Sequence, residues 1–375
     1  MHNKSLPFEK TKQEEAMLHA LIMAGGGGTR FWPRSRQTRP KQFLTLTGDR
    51  TLLQLAFDRG EGLTSAEGVW IITSAMHRAE TARQLPNLAA DQIIGEPCGR
   101  DTAACIGLGA ALIARQDPSA IMLVMPADHV IEPVHEFRRA VHVAQQMADE
   151  HPAALITFGI VPTYPATGYG YIHRGLEIAY RQGIRAYRVN RFREKPKPDE
   201  AERYLVSGEY YWNSGIFVWK AATILAELGE RRPKLLAAVQ RIAEAWSTPD
   251  RENVLRREYE ALERISIDFA VMEQAKQVVV VQAPYRWDDV GSWLALERLH
   301  PQDADGNTVL ATHCGLDTKG CVIVSDPGQL VATVGVKNLL IVQDGDATLV
   351  ADRSQEATVK QLVDLLKKKG LESYT

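Results

Sequence analysis

LIMAGGGGTRFWPRSRQTRPKQFL, Leu21 to Leu44, is the stretch on which the reading of the whole chain turns. Leu21 to Ala24 form a short apolar run of the kind that makes a first buried strand in a parallel sheet. Four glycines follow. Gly25, Gly26 and Gly28 would let the backbone turn sharply and bring N–H groups against an anion with no Cβ in the way. Thr29 and Arg30 come next, then Pro33, Pro40 and Lys41, and Arg30 and Lys41 can neutralise phosphate charge. A glycine tetrad by itself is as compatible with a flexible turn among solvated cations as with a phosphate loop. A strand, glycines, an arginine and a Pro-Lys pair in this order favour the phosphate loop.

Two familiar loops of that kind fit poorly. A Walker A loop closes on Gly-Lys-Ser/Thr and opens a helix, whereas Gly28 is followed by Thr29-Arg30. The dinucleotide fingerprint needs a helix directly after its glycines, and Pro33 and Pro40 argue for a long extended loop instead.

The 375 residues can bury a large core, and length suggests two or three domains. With 45% hydrophobic and 24% charged residues the composition is that of a soluble globular protein. A net charge of -2 gives no pull toward nucleic acid or membrane, and no apolar run approaches the roughly 20 residues of a membrane helix. Residues 1–18 are polar, lack a signal-peptide segment and read as an extension. Cys98, Cys105, Cys314 and Cys321 stand singly, so reduced thiols and a cytoplasmic location are expected.

Downstream of the loop, short apolar strands alternate with helices. Strands are expected at Val69 to Thr73, Ile93 to Pro97 and Ile121 to Met125, and helices at Thr51 to Asp58, Met76 to Gln84 and Thr102 to Arg115. This is a parallel α/β pattern, in which ligands sit beyond the carboxyl ends of strands. Further strands follow at Ala154 to Phe158, Arg185 to Asn190 and Val278 to Val281, with a helix-rich stretch reaching about Met272. Pro301 to Gly306 makes a boundary. Beyond it, short strands around Val309, Val322, Val331, Leu339 and Thr348 lead to an amphipathic helix, Val359 to Lys368, carrying Leu362, Val363, Leu365 and Leu366. The division is therefore 1–18, 19–300 and 301–375.

Polar residues punctuate this frame. Asp128, in MPADH, follows a buried strand and reads either as a turn cap or as a Mg²⁺ ligand, since magnesium takes few carboxylates beside substrate phosphates. His129 reads as structural. Asp289, in DVGSW, reads alone as an N-cap or Asx-turn, and together with Asp128 as half of a metal site. Glu194-Lys195, before Pro196, is either an exposed ion pair or a pair able to read a sugar hydroxyl and a phosphate. Asn213, in WNSGIF, is a turn residue or a sugar ligand, and its aromatic neighbours read as core. Gly168 and Gly170 suit a hairpin or a close ligand approach.

In order, MAGGGGTRFWP, RPKQF, EPCGRDTA, PADH, TGYGYI, REKP, WNSGIF and DVGSW resemble the signature of the sugar-phosphate nucleotidyltransferases, and of their mannose-1-phosphate guanylyltransferase branch. The resemblance runs from about Leu21 to Trp293, and the β-rich tail is similar too. It implies an α/β, Rossmann-like (GT-A-like) domain with a mixed, mainly parallel sheet, plus a small C-terminal β-helix-like domain. It also implies that GMP passes from GTP to mannose 1-phosphate, with Mg²⁺ as cofactor. On that resemblance Gly25, Gly26, Gly28, Thr29 and Arg30 hold the nucleotide phosphates, and Arg30 and Lys41 act on the transferring phosphate. Glu96, Arg100 and Thr102 lie near guanine, while Gly170, Glu194, Lys195 and Asn213 hold the sugar phosphate. Asp128 and Asp289 hold the metal. Asp101 stands where the family usually has Asn, and Phe31 where Leu is more usual, which reads as a packing change. Longer members continue into a cupin-type isomerase domain; no residues follow the tail here, so a single activity is expected. The alternatives are a relative using another base or sugar, and a catalytically silent regulatory subunit that binds nucleotide sugar. A homodimer is the expected assembly.

Overall fold

From β1 (Leu18–Ala24) the computed structural model, which describes residues 17–26 and 28–375, extends a nine-stranded mixed sheet in both directions. Of the 1–18 extension, residues 1–16 lie outside the described residues, and Leu18 is already a buried strand residue paired with Ile121. A loop holding two single helical turns separates β1 from α1 (Leu52–Arg59), as Pro33 and Pro40 require. Thr51 caps α1 reciprocally with Gln54, an arrangement worth roughly 1 kcal/mol.

The chain then makes β2 (Val69–Ser74), α2 (Arg78–Gln84), β3 (Ile93–Glu96), α3 (Asp101–Gln116) and β4 (Ile121–Pro126). β2 and β4 flank β1, β3 lies outside β2, and all three pairings are parallel. The connections leave β1 toward opposite edges, so strand order reverses there, where open α/β sheets bind ligands.

β5 (Val130–Glu132), α4 (Val134–Glu150), β6 (Leu155–Ile160) and the hairpin of β7 (Tyr171–Arg181) and β8 (Ile184–Arg193) follow. After them come α5 (Pro198–Ser207), β9 (Tyr210–Lys220), α6 (Ala221–Arg231), α7 (Pro233–Ala245), α8 (Arg251–Glu260), β10 (Val278–Gln282) and β11 (Arg286–Asp288). β9 lies antiparallel between β4 and β6, and β10 runs parallel to β6 and antiparallel to β8. The parallel half therefore carries the glycine loop and the antiparallel half carries the motifs from Gly168 onward.

Alternation along β1 divides the core in two. Leu21 faces α3 and the layer of α6, α7 and α8; Ala20, Ile22 and Ala24 face α1 and α4. α3 lies close to the sheet as its small residues suggest, since a Cβ at Gly109 would strike the Leu21 side chain at 2.5 Å.

After α9 (Leu296–Leu299), β12 (Thr308–Leu310), β13 (Thr312–Leu316), β14 (Val322–Val324), β15 (Leu330–Val334) and β16 (Leu339–Asp344) pair in parallel coils. β17 (Ala347–Asp352) closes the stack antiparallel to β16. α10 (Val359–Lys368) buries Val359 and Val363, whereas Leu365, expected on its apolar face, is 45% exposed. A third core joins this tail to the front of the molecule: Phe31, Trp32, Leu44, Leu46 and Leu52 pack with Trp293, Val324, Leu340, Val342 and Val363.

Polar contacts fasten the same join. Arg39 Nη2 donates to both Asp344 oxygens at 2.6 Å, Arg36 Nη2 to Asp346 Oδ1 at 2.5 Å and Arg34 Nη2 to the Ser325 carbonyl at 2.7 Å. Trp32 Nε1 donates to the Tyr374 carbonyl at 2.7 Å. These three arginines of the loop are thus occupied by the tail. No described helix is long and apolar enough to cross a membrane, and all four cysteines are free.

Candidate active site

At the end of β1 the Ala24 carbonyl accepts from Gln42 Nε2 at 2.8 Å and from Thr73 Oγ1 at 3.0 Å, which fixes where the glycine loop leaves the sheet. Gly25 and Gly26 are exposed, Gly26 with φ +97°, and Gly27 lies outside the described residues. Gly28 has φ +55°, and a Cβ on it would lie 2.5 Å from Lys41 Cβ and 2.6 Å from Lys41 N. Only glycine lets the loop rest directly on the Lys41 backbone. Arg30 is exposed and makes no hydrogen bond or ion pair among the described residues. Of the loop's arginines it alone is left for an anion; Thr29 is half-buried beside it.

Lys41 is buried, yet its ammonium reaches two separate strand ends. Nζ donates to Asp128 Oδ2 at 2.8 Å and to the Asp289 carbonyl oxygen at 2.5 Å. The structure thereby brings Lys41, Asp128 and Asp289 together from distant parts of the chain. Burial works against the charge of Asp128, but Lys41 and His129 more than offset it, and its carboxyl lies below the ordinary carboxylate range. The turn-capping role open to Asp289 belongs to its neighbour. Asp288 Oδ1 accepts from Val290 N at 2.8 Å, and Asp288 pairs with Arg298 through both oxygens. Asp289 is free to face the cleft, where Tyr169 Oη donates to its Oδ1 at 2.8 Å.

His129 lies beside Asp128 at the cleft and packs on Trp287. Trp287 Nε1 donates to its Nδ1 at 3.1 Å, and burial lowers it to about 4. Among the described residues no group of three or more His, Cys, Asp or Glu is placed to hold a metal ion. One carboxylate and one carbonyl oxygen around a bound ammonium, with the Asp289 carboxylate facing the adjoining cleft, do form a hard-oxygen, cation-seeking spot. That fits a divalent ion taking its remaining ligands from phosphates and water.

Beside this spot a cleft of about 200 Å³ is lined by Thr102, Gly170, Glu194, Asn213, Asp268 and Asp289, among others. Two depressions of about 710 Å³ lie elsewhere, around Trp246 and Arg115 and around Arg232 and Arg241. They contain none of the motif residues, so chemistry rather than size places the site. Gly170 is needed by its surroundings, because a Cβ there would collide with Glu194 Oε2. Lys195 Nζ donates to Glu194 Oε1 at 2.7 Å, and Lys195 itself adopts φ +47°. The aromatic residues around Asn213, namely Tyr211, Trp212, Phe217 and Trp219, are buried as core.

The cleft's other wall carries the EPCGRDTA motif. Glu96 is buried at the end of β3, its Oε2 3.7 Å from where a Gly25 Cβ would lie, and Oε1 accepts from Tyr259 Oη. Burial pushes Glu96 up to about 7; the Tyr259 bond opposes that rise and Asp101 adds to it. Asp101 sits at φ +66°, a left-handed conformation that Asp and Asn both tolerate, which accounts for one replacing the other. Thr102 accepts from Ile267 N at 2.8 Å. Arg100 holds the Tyr259 backbone while Glu96 holds its hydroxyl. Its guanidinium donates to the Tyr259 and Glu260 carbonyls, drawn to the negative end of α8. Phe31 is fully buried, with its ring centroid 5.0 Å from that of Trp293.

Tyr169, Tyr259 and Asp268 complete this neighbourhood and were not singled out from sequence. Tyr169 lies inside the quoted TGYGYI motif and could have been found there. Tyr259 and Asp268 sit in the helical stretch, where nothing in the local pattern separates them from surface polar residues.

The nucleotidyl transferase family profile matches residues 19–306, and the profile described as MannoseP isomerase/GMP-like beta-helix domain matches 311–366. A mannose-1-phosphate guanylyltransferase of Klebsiella pneumoniae is 43% identical over 362 residues, covering 96% of this chain and 76% of the relative. One from Escherichia coli (strain K12) is 42% identical over 364 residues, covering 95% and 75%. A crystal structure described as mannose-1-phosphate geranyltransferase from Thermus thermophilus superposes with a TM-score of 0.84 at 37% identity, covering 93% of this chain and 99% of that one.

Proposed function

The chain belongs to the nucleotidyl transferase family, among its mannose-1-phosphate guanylyltransferases, and from that premise we propose how its residues transfer GMP from GTP to α-D-mannose 1-phosphate. The products are GDP-mannose and pyrophosphate. The observation that carries the reading is Lys41, held between Asp128 and Asp289 at the carboxyl edge of the sheet beside a cleft of sugar-binding chemistry.

An oxygen of the sugar phosphate attacks the α-phosphorus of GTP in line, and the bond to the bridging oxygen breaks as pyrophosphate departs. A phosphate monoester is already an anion near neutral pH, so no residue has to remove a proton. The protein positions the two substrates and neutralises charge. Gly25, Gly26, Gly28 and Thr29 present the loop to the triphosphate, Arg30 meets the leaving phosphates, and Lys41 moves onto the transferring phosphate. Gly170, Glu194, Lys195 and Asn213 hold the sugar phosphate. Asp128 and Asp289 would hold the divalent ion, Mg²⁺ in this reading, which when bound adds positive charge beside the reacting phosphates. Residues 19–300 form the catalytic unit and 301–375 brace its loop.

Pyrophosphate release tests this, crossing GTP, ATP, UTP and dTTP against mannose and glucose 1-phosphates with Mg²⁺. Fast release is expected only from GTP with mannose 1-phosphate. Release from another pair moves the substrate assignment, and no release from protein that still binds GDP-mannose makes it a regulatory subunit.

Glu96 accepts hydrogen bonds from the guanine edge in this reading, which requires its ionised form. Because its carboxyl lies at about 7, guanine preference is present above that pH and fades as pH falls through it. Tyr259→Phe removes the donor that favours the carboxylate. The loss should then begin at a higher pH than in the wild type. The ratio of GTP to ITP turnover measured across pH reports this, and superimposable profiles would take Glu96 away from the base.

A further inference from the structure

The buried face of α1 consists of Leu52, Leu53, Ala56 and Arg59. An arginine thus closes a stripe that the helical period would fill with an apolar side chain, and it is only 2% exposed. Among the described residues its guanidinium makes no ion pair, and its buried Nε has no hydrogen-bond partner. Burial lowers Arg59 to about 10, with Tyr285 and Asp128 opposing the fall, so the group keeps its charge at neutral pH. Taking a charge out of water with no carboxylate bound to it is costly, and an apolar side chain of similar volume usually serves stability as well or better. Packing alone does not account for an arginine at this position.

What the guanidinium holds is backbone. Nη1 donates to the His129 carbonyl at 3.0 Å, and Nη2 to the Pro126 carbonyl at a longer 3.5 Å. These two carbonyls stand on either side of Ala127-Asp128, in the turn between β4 and β5. Within the turn Ala127 N donates to the Met23 carbonyl of β1 at 2.9 Å. Beyond it β5 pairs with β11, Val130 opposite Asp288 and so next to Asp289. Arg59 is itself seated by α4, because Arg138 donates from Nη2 to the Asp58 carbonyl at 2.7 Å and from Nε to the Arg59 carbonyl at 3.3 Å. One buried cation therefore ties down the backbone on both sides of Asp128, while the Asp128 side chain is left to Lys41. When Lys41 moves onto the transferring phosphate, that restraint goes and the turn has to keep Asp128 aimed.

We propose that Arg59 is a positioning residue for the transfer reaction, holding the Pro126–His129 turn so that Asp128 stays aimed at the metal once Lys41 has left it. The inference rests on the assignment of Asp128 to the metal.

The test places Arg59→Met in the full chain, alone and combined with Asp128→Asn. Methionine keeps much of the buried volume and removes the donors. Groups that orient a metal ligand contribute roughly 10- to 100-fold to activity or metal affinity, and Arg59→Met should lower kcat on that scale. KM for mannose 1-phosphate should stay within about twofold, and in the Asp128→Asn background Arg59→Met should change kcat by no more than about twofold. Equilibrium titration of GTP with and without Mg²⁺ supplies a readout apart from turnover. The gain in affinity that Mg²⁺ confers on the wild type should shrink in Arg59→Met, with affinity in the absence of Mg²⁺ unchanged. A merely structural arginine would lower the unfolding midpoint and leave the two substitutions multiplicative. Multiplicative losses of kcat, or a folded Arg59→Met with wild-type kcat and an undiminished Mg²⁺ gain, overturn the proposal. If Arg59→Met does not fold, Arg59→Lys takes its place. It keeps the charge but not the planar fork, and its smaller loss should likewise vanish in the Asp128→Asn background. Asp128→Asn with a wild-type rate, or wild-type protein whose GTP affinity ignores Mg²⁺, refutes the metal assignment instead, so the two failures are distinct.

Discussion

Lys41→Met is expected to lower kcat by about three orders of magnitude while the protein stays folded, the scale on which a cation at a transferring phosphate acts. Methionine keeps most of the buried stem and removes only the ammonium. The charge matters for chemistry because Nζ is the one cation the structure places at both Asp128 and the Asp289 carbonyl. Its loss also deprives Asp128 of its hydrogen-bonded cation, so some stability should go as well, and unfolding midpoints are measured alongside turnover. A purely structural lysine would show that loss of stability with a nearly normal rate, and such a result would remove Lys41 from the catalytic machinery.

Gly28→Ala should do comparable damage without touching a charge. A methyl group at Gly28 meets Lys41 Cβ at 2.5 Å, N at 2.6 Å and Cα at 3.0 Å, and backbone atoms cannot swing aside as a side-chain tip can. The φ of +55° adds strain of roughly 1 to 3 kcal/mol. Pushing the Lys41 segment away by even an ångström costs about 100-fold in rate where positioning is the mechanism. Gly48 supplies the control, with a similar φ of +62° and nothing within 4 Å of a Cβ. Gly48→Ala should therefore lose stability alone. Equal kcat values for the two alanine variants would show that the contact with Lys41 is unimportant.

The parallel half of the fold was legible because its strands are short apolar runs that stop at glycine, proline or aspartate. In the antiparallel half β6, β8 and β10 lie where strands were expected, but β7 and β9 were not read as strands. β7 reaches Arg181 with most of its outer residues half-buried or exposed, which leaves no apolar run to read. α4 is absent from the sequence expectations, although Phe137, Ala140, Val141, Ala144 and Met147 recur at helical spacing and are buried. In the site, Thr102, Gly170, Glu194, Asn213 and Asp289 line one cleft, whereas the partner of the Arg100 guanidinium, a helix end some 160 residues away in sequence, has no local signal. The division of labour between Asp288 and Asp289 was likewise invisible. Adjacent aspartates look alike in sequence, and only Val290 and Arg298 show which of them the structure needs.

The join between the glycine loop and the tail sets an order of events in the life of the chain. Arg34 meets Ser325 across 291 residues, and Trp32 meets Tyr374 across 342. At synthesis rates of roughly 5 to 20 residues per second, some 15 to 60 seconds separate translation of Arg34 from translation of its partner in the tail. The motif made earliest is therefore among the last to be set. A nascent chain can complete its sheet before Trp32 and the arginines of the segment leading to Lys41 meet their partners in the tail, so the loop is fully fastened only once translation has passed through the tail.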